Sequence, residues 1–143
     1  MGDARIGTGI MLKVGDGASP EVFADVAELA SLTPSPQTRA VVPVPVHNSP
    51  ASAKLLGRLD QGPVVAKLYW VPNDVIHRQL KADCEASPPV KRNYRIAYPP
   101  DGLPHETFPA RVQQWAVPDV GQDTPLEVDL NLEIDGPIVT VYE

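Results

Sequence analysis

The sequence predicts a mainly β protein, an antiparallel β-sandwich or partial β-barrel with one α-helix over about residues 74–86. Three observations carry that expectation. Leu126 to Asp135 reads Leu-Glu-Val-Asp-Leu-Asn-Leu-Glu-Ile-Asp, aliphatic at every even position and acidic at every odd one except Asn131. Successive strand side chains point to opposite faces, so this period gives one apolar and one anionic face, whereas a helix would smear both. The 17 prolines and 10 glycines are scattered without a low-complexity run, so they punctuate short elements. Only Asp74 to Glu85 combines a helical stripe with clear start and stop signals.

At 143 residues and 43% hydrophobic, the chain fits a single domain, 1–143, with a core of useful size. Thr8 to Val14 alternates Thr8, Ile10, Leu12 and Val14 against Gly9, Met11 and Lys13, a first strand. Gly15-Asp16-Gly17-Ala18-Ser19-Pro20 is a turn, with glycines for positive φ and Asp and Ser for local hydrogen bonds. It lacks the spaced carboxylates of a calcium loop. Glu21 to Leu32 has ambiguous spacing, and its Ala-Glu-Leu-Ala composition favours a helix over a bulged strand.

A Pro-rich stretch of about 34–52 follows, with Pro34, Pro36, Pro43, Pro45 and Pro50. Val41, Val42, Val44 and Val46 are strand formers, but Pro43 and Pro45 donate no ladder bonds. The segment therefore reads as an edge strand or extended loop. Long connections of this kind are often functional. Val41, Val42, Val44, Val46, His47 and Asn48 are accordingly the candidate arm that orders against another subunit.

Leu55, Leu56 and Leu59 suit a short helical turn over Ala53 to Leu59. Val64 to Val71 is a strand with two fairly apolar faces, placed in a sheet interior or at an interface. In Asp74 to Glu85, Asn73 serves as N-cap, Asp74 suits the positive end, and Ile76, Leu80 and Cys84 form the buried stripe. Val90 to Tyr98 sets Tyr94, Ile96 and Tyr98 against Arg95. Glu106 to Val117 sets Phe108, Ala110, Val112 and Ala116 against Arg111, Gln113 and Trp115. Ile138 to Tyr142 is a short last strand.

The net charge of −6 argues against tight binding of nucleic acid, which needs clustered cations. The short patch of Lys91, Arg92 and Arg95 reads as a solvated strand edge. A surface that repels nucleic acid fits the acidic balance. Cys84 is the only cysteine, so neither an intrachain disulfide nor a cysteine-based metal site is available, as suits a reducing cytosol. No signal-peptide apolar region and no window near the ~20 apolar residues of a spanning helix is found, so neither a leader nor a membrane span is expected. His47, His77 and His105 lack metal-ligand spacing and read as surface or internally satisfied residues. No nucleotide-binding loop, nucleophile elbow or poised carboxylate pair is present, and the chain is not expected to be an enzyme or to hold a cofactor or metal.

Gly15-Asp16-Gly17-Ala18-Ser19-Pro20-Glu21 followed by Phe23 resembles the "G-D-G-A-S-P-E-x-F" of the major tail tube proteins of long-tailed (lambda-like, siphovirus) bacteriophages. Leu55-Leu56-Gly57-Arg58-Leu59-Asp60-Gln61-Gly62 is similar to that family's segment before a strand. The helix after Pro72-Asn73-Asp74, the strand from Phe108 to Val117 and the alternating Leu126 to Gly136 fall in the family's order, so the resemblance covers nearly the whole chain. The chain departs from it in its extra prolines between Pro34 and Pro50, and in Tyr69-Trp70-Val71-Pro72 at the end of a strand.

The resemblance implies a strand, not a helix, over Asp25 to Leu32. It implies six subunits per ring and stacked rings forming a hollow tail through which DNA reaches the host. The protein would be made in the host cytoplasm and reside in the virion tail. Its partners would be copies of itself and the tape measure, tail tip and tail terminator proteins. The same fold serves contractile-tail tubes, tailed bacteriocins, gene transfer agents and secretion-system tubes. An acidic lumen would let DNA slide, and Glu127, Asp129, Glu133 and Asp135 are the candidate lumen residues. The rival reading is a monomeric sandwich that binds carbohydrate through Tyr69, Trp70, Tyr94, Tyr98 or Trp115. Core packing is the expected fate of both tryptophans.

Overall fold

Alternation in the acidic strand demands a sheet on both sides of it and a core beneath. The computed structural model of the chain, which describes residues 7–45, 47, 53–99, 104–118 and 120–142, supplies both. Strands β1 (Met11–Gly15), β2 (Phe23–Asp25), β3 (Leu29–Thr33), β4 (Gln37–Val44), β5 (Ala53–Gln61) and β6 (Val64–Tyr69) precede helix α1 (Val75–Glu85). Strands β7 (Lys91–Ala97), β8 (His105–Ala116), β9 (Glu127–Ile134) and β10 (Val139–Val141) follow it. The main sheet is antiparallel in the order β2-β1-β7-β8-β9-β6-β3, with β10 on β8, and β4 and β5 form a separate two-stranded sheet. The mainly β architecture with one helix is the one expected. β9 lies between β8 and β6, and its Val128, Leu130 and Leu132 are fully buried.

β2 and β3 stand at opposite margins of that order, yet only Val26, Ala27 and Glu28 separate them in the chain. The sheet is therefore rolled until its margins meet. The bridge is bonded to both sides, since Val26 N–H donates to the Leu12 carbonyl (2.8 Å) and Tyr69 N–H to that of Glu28 (2.9 Å). Glu28 takes a left-handed φ of 59°, which breaks the segment. The helix that local composition favours over Glu21 to Leu32 does not form. Cross-strand pairing outweighs propensity, and the strand that the family resemblance implies over Asp25 to Leu32 forms at Asp25 and again from Leu29, with a break at Val26, Ala27 and Glu28.

The inward face is continuous from Leu12 and Val14 through Tyr94, Ile96, Phe108, Ala110 and Val112 to Leu130, Leu68 and Ala66. One departure lies on β8. A bulge between Val112 and Gln114 adds a residue and reverses the alternation beyond it. Trp115 then lies opposite Leu130 and packs against the core, while Ala116 faces outward opposite Asp129. This is the reverse of the assignment from simple period two.

Registers give the body two distinct ends. Thr33, Val64, Ile134, Ala97 and Met11 lie toward one, and Leu29, Tyr69, Glu127, Ala116, Lys91 and Gly15 toward the other. The first is the hairpin end, because β4 and β5 are the extension of β3 and β6 past Thr33 and Val64. Ser35 Oγ donates to the Gly62 carbonyl (2.6 Å) and Gly62 N–H to that of Pro36 (2.9 Å), which fastens the hairpin's base. The second is the helix end.

There α1 begins one residue later than its sequence signals suggest. Asp74, not Asn73, is the N-cap, accepting from the backbone of Ile76 and His77. Leu80 is fully buried, Ile76 and Cys84 are half-buried, and His77 and Asp83 are also buried. Ala53 to Leu59 is strand, not a helical turn. The three- and four-residue leucine spacing comes from a bulge against Arg39 and Val41.

Candidate assembly surfaces

The odd positions of β9 face outward. Glu127, Asp129 and Asn131 are half-buried by neighbouring side chains, Glu133 is exposed, and Asp135 lies just past the strand. The row is less uniformly anionic than its sequence. Lys67 of β6 lies 3.7 Å from Glu127, and Lys91 lies 3.5 Å from Asp135, which also pairs with Arg111. Arg111 and Lys91 hold the Asp135 carboxyl below the usual range, Arg111 through its hydrogen bond most of all. Glu133 stands opposite Arg111 in register, and Asn131 accepts no charge but donates to Gln114 at 2.7 Å. Among the described residues Asp129 and Glu133 form no ion pair. The flanking cations reach β9 through register and not through sequence proximity, so the local sequence does not reveal them.

The hairpin carries the second candidate set. Val41, Val42 and His47 are exposed and Val44 is half-buried, while Val46 and Asn48 lie outside the described residues. Within the Pro-rich stretch, β4 pairs on one side only, the position its Pro43 permits. Register places Leu56 opposite Val41 and Leu55 opposite Val42. Sequence reasoning missed these leucines and Leu59 because their spacing suggested a helical turn. The five aliphatics are between 45% and 67% exposed. A long exposed apolar hairpin with unpaired margins is a template for another chain, and folded proteins normally cover or blunt one.

At the helix end the Gly15–Glu21 turn is held by its own side chains. Asp16 Oδ1 accepts from Ala18 N–H (2.9 Å) and Val22 N–H (3.1 Å), bonds that lower its carboxyl's pKa, the Ala18 bond foremost. Glu21 accepts from Gly17 N–H (2.9 Å) and from the Asn93 amide (2.9 Å). A side chain at Gly15 would put its Cβ 2.3 Å from Glu21 Oε2, and Gly17 has φ +77°. The motif is thus built to fix a turn. No cluster of three metal-ligating side chains occurs among the described residues.

Helix α1 is clamped beside this turn. The Arg92 guanidinium donates twice to the buried Asp83 carboxylate, at 2.6 and 3.2 Å. His77 is internally satisfied: Nδ1 accepts from Val71 N–H (3.1 Å), which leaves Nε2 to donate to the Ala27 carbonyl (2.8 Å). Trp115 meets both His77 and Trp70 edge-on, with centroids 6.5 and 6.1 Å away.

Of the five aromatics named for sugar recognition, Tyr69 alone is exposed. Trp70 and Trp115 are spent on each other, and Tyr94 is fully buried, with burial pushing its hydroxyl pKa up. Tyr98 donates to Glu106 at 2.5 Å, and its pKa is raised too, by burial first and by that hydrogen bond second. No helix among the described residues is long and apolar enough to cross a membrane.

No protein-family model matches the chain, and no curated protein matches it significantly. Solved structures do. A chain of the anti-feeding prophage (AFP) baseplate, 6-fold symmetrised, covers 99% of this chain and 98% of its own length at a TM-score of 0.74 and 13% identity. A chain of the sheath/tube terminator of the PVC extracellular contractile injection system, in the extended state, covers 97% and 98% at 0.75 and 10%. A chain from the tail of an empty gene transfer agent (GTA) particle, refined helically with C6 symmetry, covers 96% and 99% at 0.74 and 13%. The fold is shared, end to end, with chains of tail-like particles.

Proposed function

We propose that this chain is a structural subunit of a tail tube, closing into rings of six that stack into a hollow conduit, and that it catalyses no reaction. The observation that carries this reading is the whole-length fold agreement with chains of particles described as 6-fold or C6 symmetric. A body with unlike ends and an exposed apolar hairpin suits it, since head-to-tail contacts propagate and stacking covers the hairpin. Its place would be the tail of a particle assembled in the host cytoplasm. Copies of itself and the proteins that start, measure and end the tube would be its partners.

DNA delivery by a long-tailed phage is the finer form of the proposal. A phage-derived particle is the second reading, supported by neighbours from an antifeeding prophage, a contractile injection system and a gene transfer agent. In either, the outward row of β9 would face the lumen, with Asp129 and Glu133 as its unpaired charges. Glu127 and Asp135 would be partly neutralised by Lys67, Lys91 and Arg111. Like charge along the wall repels phosphate, so a nucleic acid would pass without sticking.

Negative-stain electron microscopy of the purified protein, with light scattering over a concentration series, tests the proposal. Hollow rings or tubes are expected. A chain that stays monomeric even with its tail-tip complex present sinks it. A tube map with Asp129 and Glu133 on the exterior ends the lumen assignment alone.

A further inference from the structure

We infer that the mouth of the barrel at its hairpin end binds a small organic cation, an ammonium or guanidinium group carried on an apolar stem. The residues that form the site all come from one chain, so the inference stands apart from the tube reading.

The inner face of the barrel continues past the end of its aliphatic core. On β7 the inward series of Tyr94 and Ile96 runs on to Tyr98, which packs against the core from just beyond the strand. On β8 the residue before Phe108 on the same face is Glu106. Thr140 of β10 stands opposite Glu106. Ile138 packs on the core, so Thr140 and Tyr142 follow it along the same face. The inward residues thus turn polar and aromatic as they leave the core. Together they wall a cavity of about 470 Å³, with Gln37 and Pro104 also in its lining. A cavity of that size at a barrel mouth, with a few converging polar groups, has the form of a small-molecule site.

Charge sets the class of ligand. Glu106 is half-buried, and its Oε1 accepts from the Tyr98 hydroxyl at 2.5 Å. That bond orients the carboxylate and leaves Oε2 with no partner among the described residues. No Lys, Arg or His stands among the described residues of the lining. His105, beside Glu106 in the chain, projects from the opposite face of β8. A half-buried anion without a counter-charge favours a cation as its ligand.

The remaining walls suit an organic cation better than a bare metal ion. Tyr98 and Tyr142 bring two aromatic rings to the cavity, and Tyr142 is 73% exposed. An aromatic ring attracts a cation through its quadrupole, and an apolar stem packs on the rings and on Pro104. An anion would meet the Glu106 carboxylate, and a neutral ligand would leave its charge unbalanced. A free aliphatic amine and the side chain of a lysine or arginine in another protein carry the same group, and the test separates them.

NMR titration of the isotopically labelled protein with butylammonium and butylguanidinium tests the site, with butanol as the uncharged control. Saturable shifts at Tyr98, Glu106 and Thr140 are expected with a cation and not with butanol. Glu106→Gln keeps an oxygen for the Tyr98 hydroxyl and removes the charge, so cation affinity is expected to fall about tenfold. Tyr142→Ala alters an exposed ring, so it is expected to weaken the cations about threefold and leave the melting transition unchanged. Nα-acetyl-lysine amide separates the sources. Binding as tight as that of butylammonium assigns the site to a side chain of another protein, and weaker binding assigns it to a free amine. Absence of saturable shifts, equal binding of butanol, or unchanged affinity in Glu106→Gln overturns the proposal. Each of those results leaves the tube reading standing, because the single chain is the species measured.

Discussion

Glu21 ties its turn to β7, and Gly15 is the residue that leaves it room. An added methyl at Gly15 would force the carboxylate out of its position 2.3 Å away and free Gly17 N–H and Asn93. Gly15→Ala is expected to cost about 1–2 kcal/mol, the worth of two modest hydrogen bonds with a charged acceptor. Urea unfolding at constant slope measures it, and an unchanged midpoint would show the knot to be idle.

Arg92 carries more. Arg92→Leu strands the Asp83 carboxylate in a buried site and is expected to destabilise by about 3 kcal/mol, the low end for breaking a buried pair. Adding Asp83→Leu should recover part of that loss. If it recovers none, packing and not charge sets the cost.

Asp135 gives the pH dependence. Its folded pKa lies below its unfolded value because Arg111 and Lys91 favour the ionised form. Its contribution is therefore present above the unfolded value and lost as pH falls through the folded one. In Arg111→Gln, a carbon-detected NMR titration should show Asp135 moving up toward the ordinary carboxylate range. A pKa that does not move would leave Lys91 as the main cause.

The hairpin is the element whose chemistry exceeds what its own fold requires. Val42→Asp and Leu56→Asp each remove apolar surface that the monomer leaves in water. The melting transition is expected to stay within about 0.5 kcal/mol of the parent. Assembly, followed by scattering and electron microscopy, should fail in both. If only one fails, a single face is engaged.

What sequence could and could not reveal also separates at this scale. β9 was readable residue by residue because one face is core and the other is not. β8 was readable up to Val112. Beyond it, a bulge fixed by pairing with β9 inverted the alternation, and nothing near Gln113 announces that. β5 looks helical in sequence for the same reason, its bulge giving strand leucines the spacing of a helical turn. The acidic row was legible as a face, but Lys67, Lys91 and Arg111 reach it only through register. The helix over Glu21 to Leu32 failed because propensity is a weak prior beside two sheet margins that the segment must join.

For the molecule as a whole, the body and the hairpin are nearly separate objects. The barrel closes through Val26–Glu28, and among the described residues its core contains none from the hairpin. β3 and β6 are already fastened at the hairpin's base by Ser35, Pro36 and Gly62. Joining residues 36 and 62 by a short Gly-containing turn should therefore give a shortened chain that folds and melts as one unit. Circular dichroism checks the fold. On the tube reading proposed above, such a chain would lack the hairpin that stacking covers while keeping the rest of the body. Mixed into parent protein, it should act as a chain terminator, as a dideoxynucleotide does in strand synthesis. Mean tube length would then fall in proportion to its share of the pool, well before it was the majority species. Length would thereby become a quantity set by stoichiometry, adjustable without touching the conduit itself.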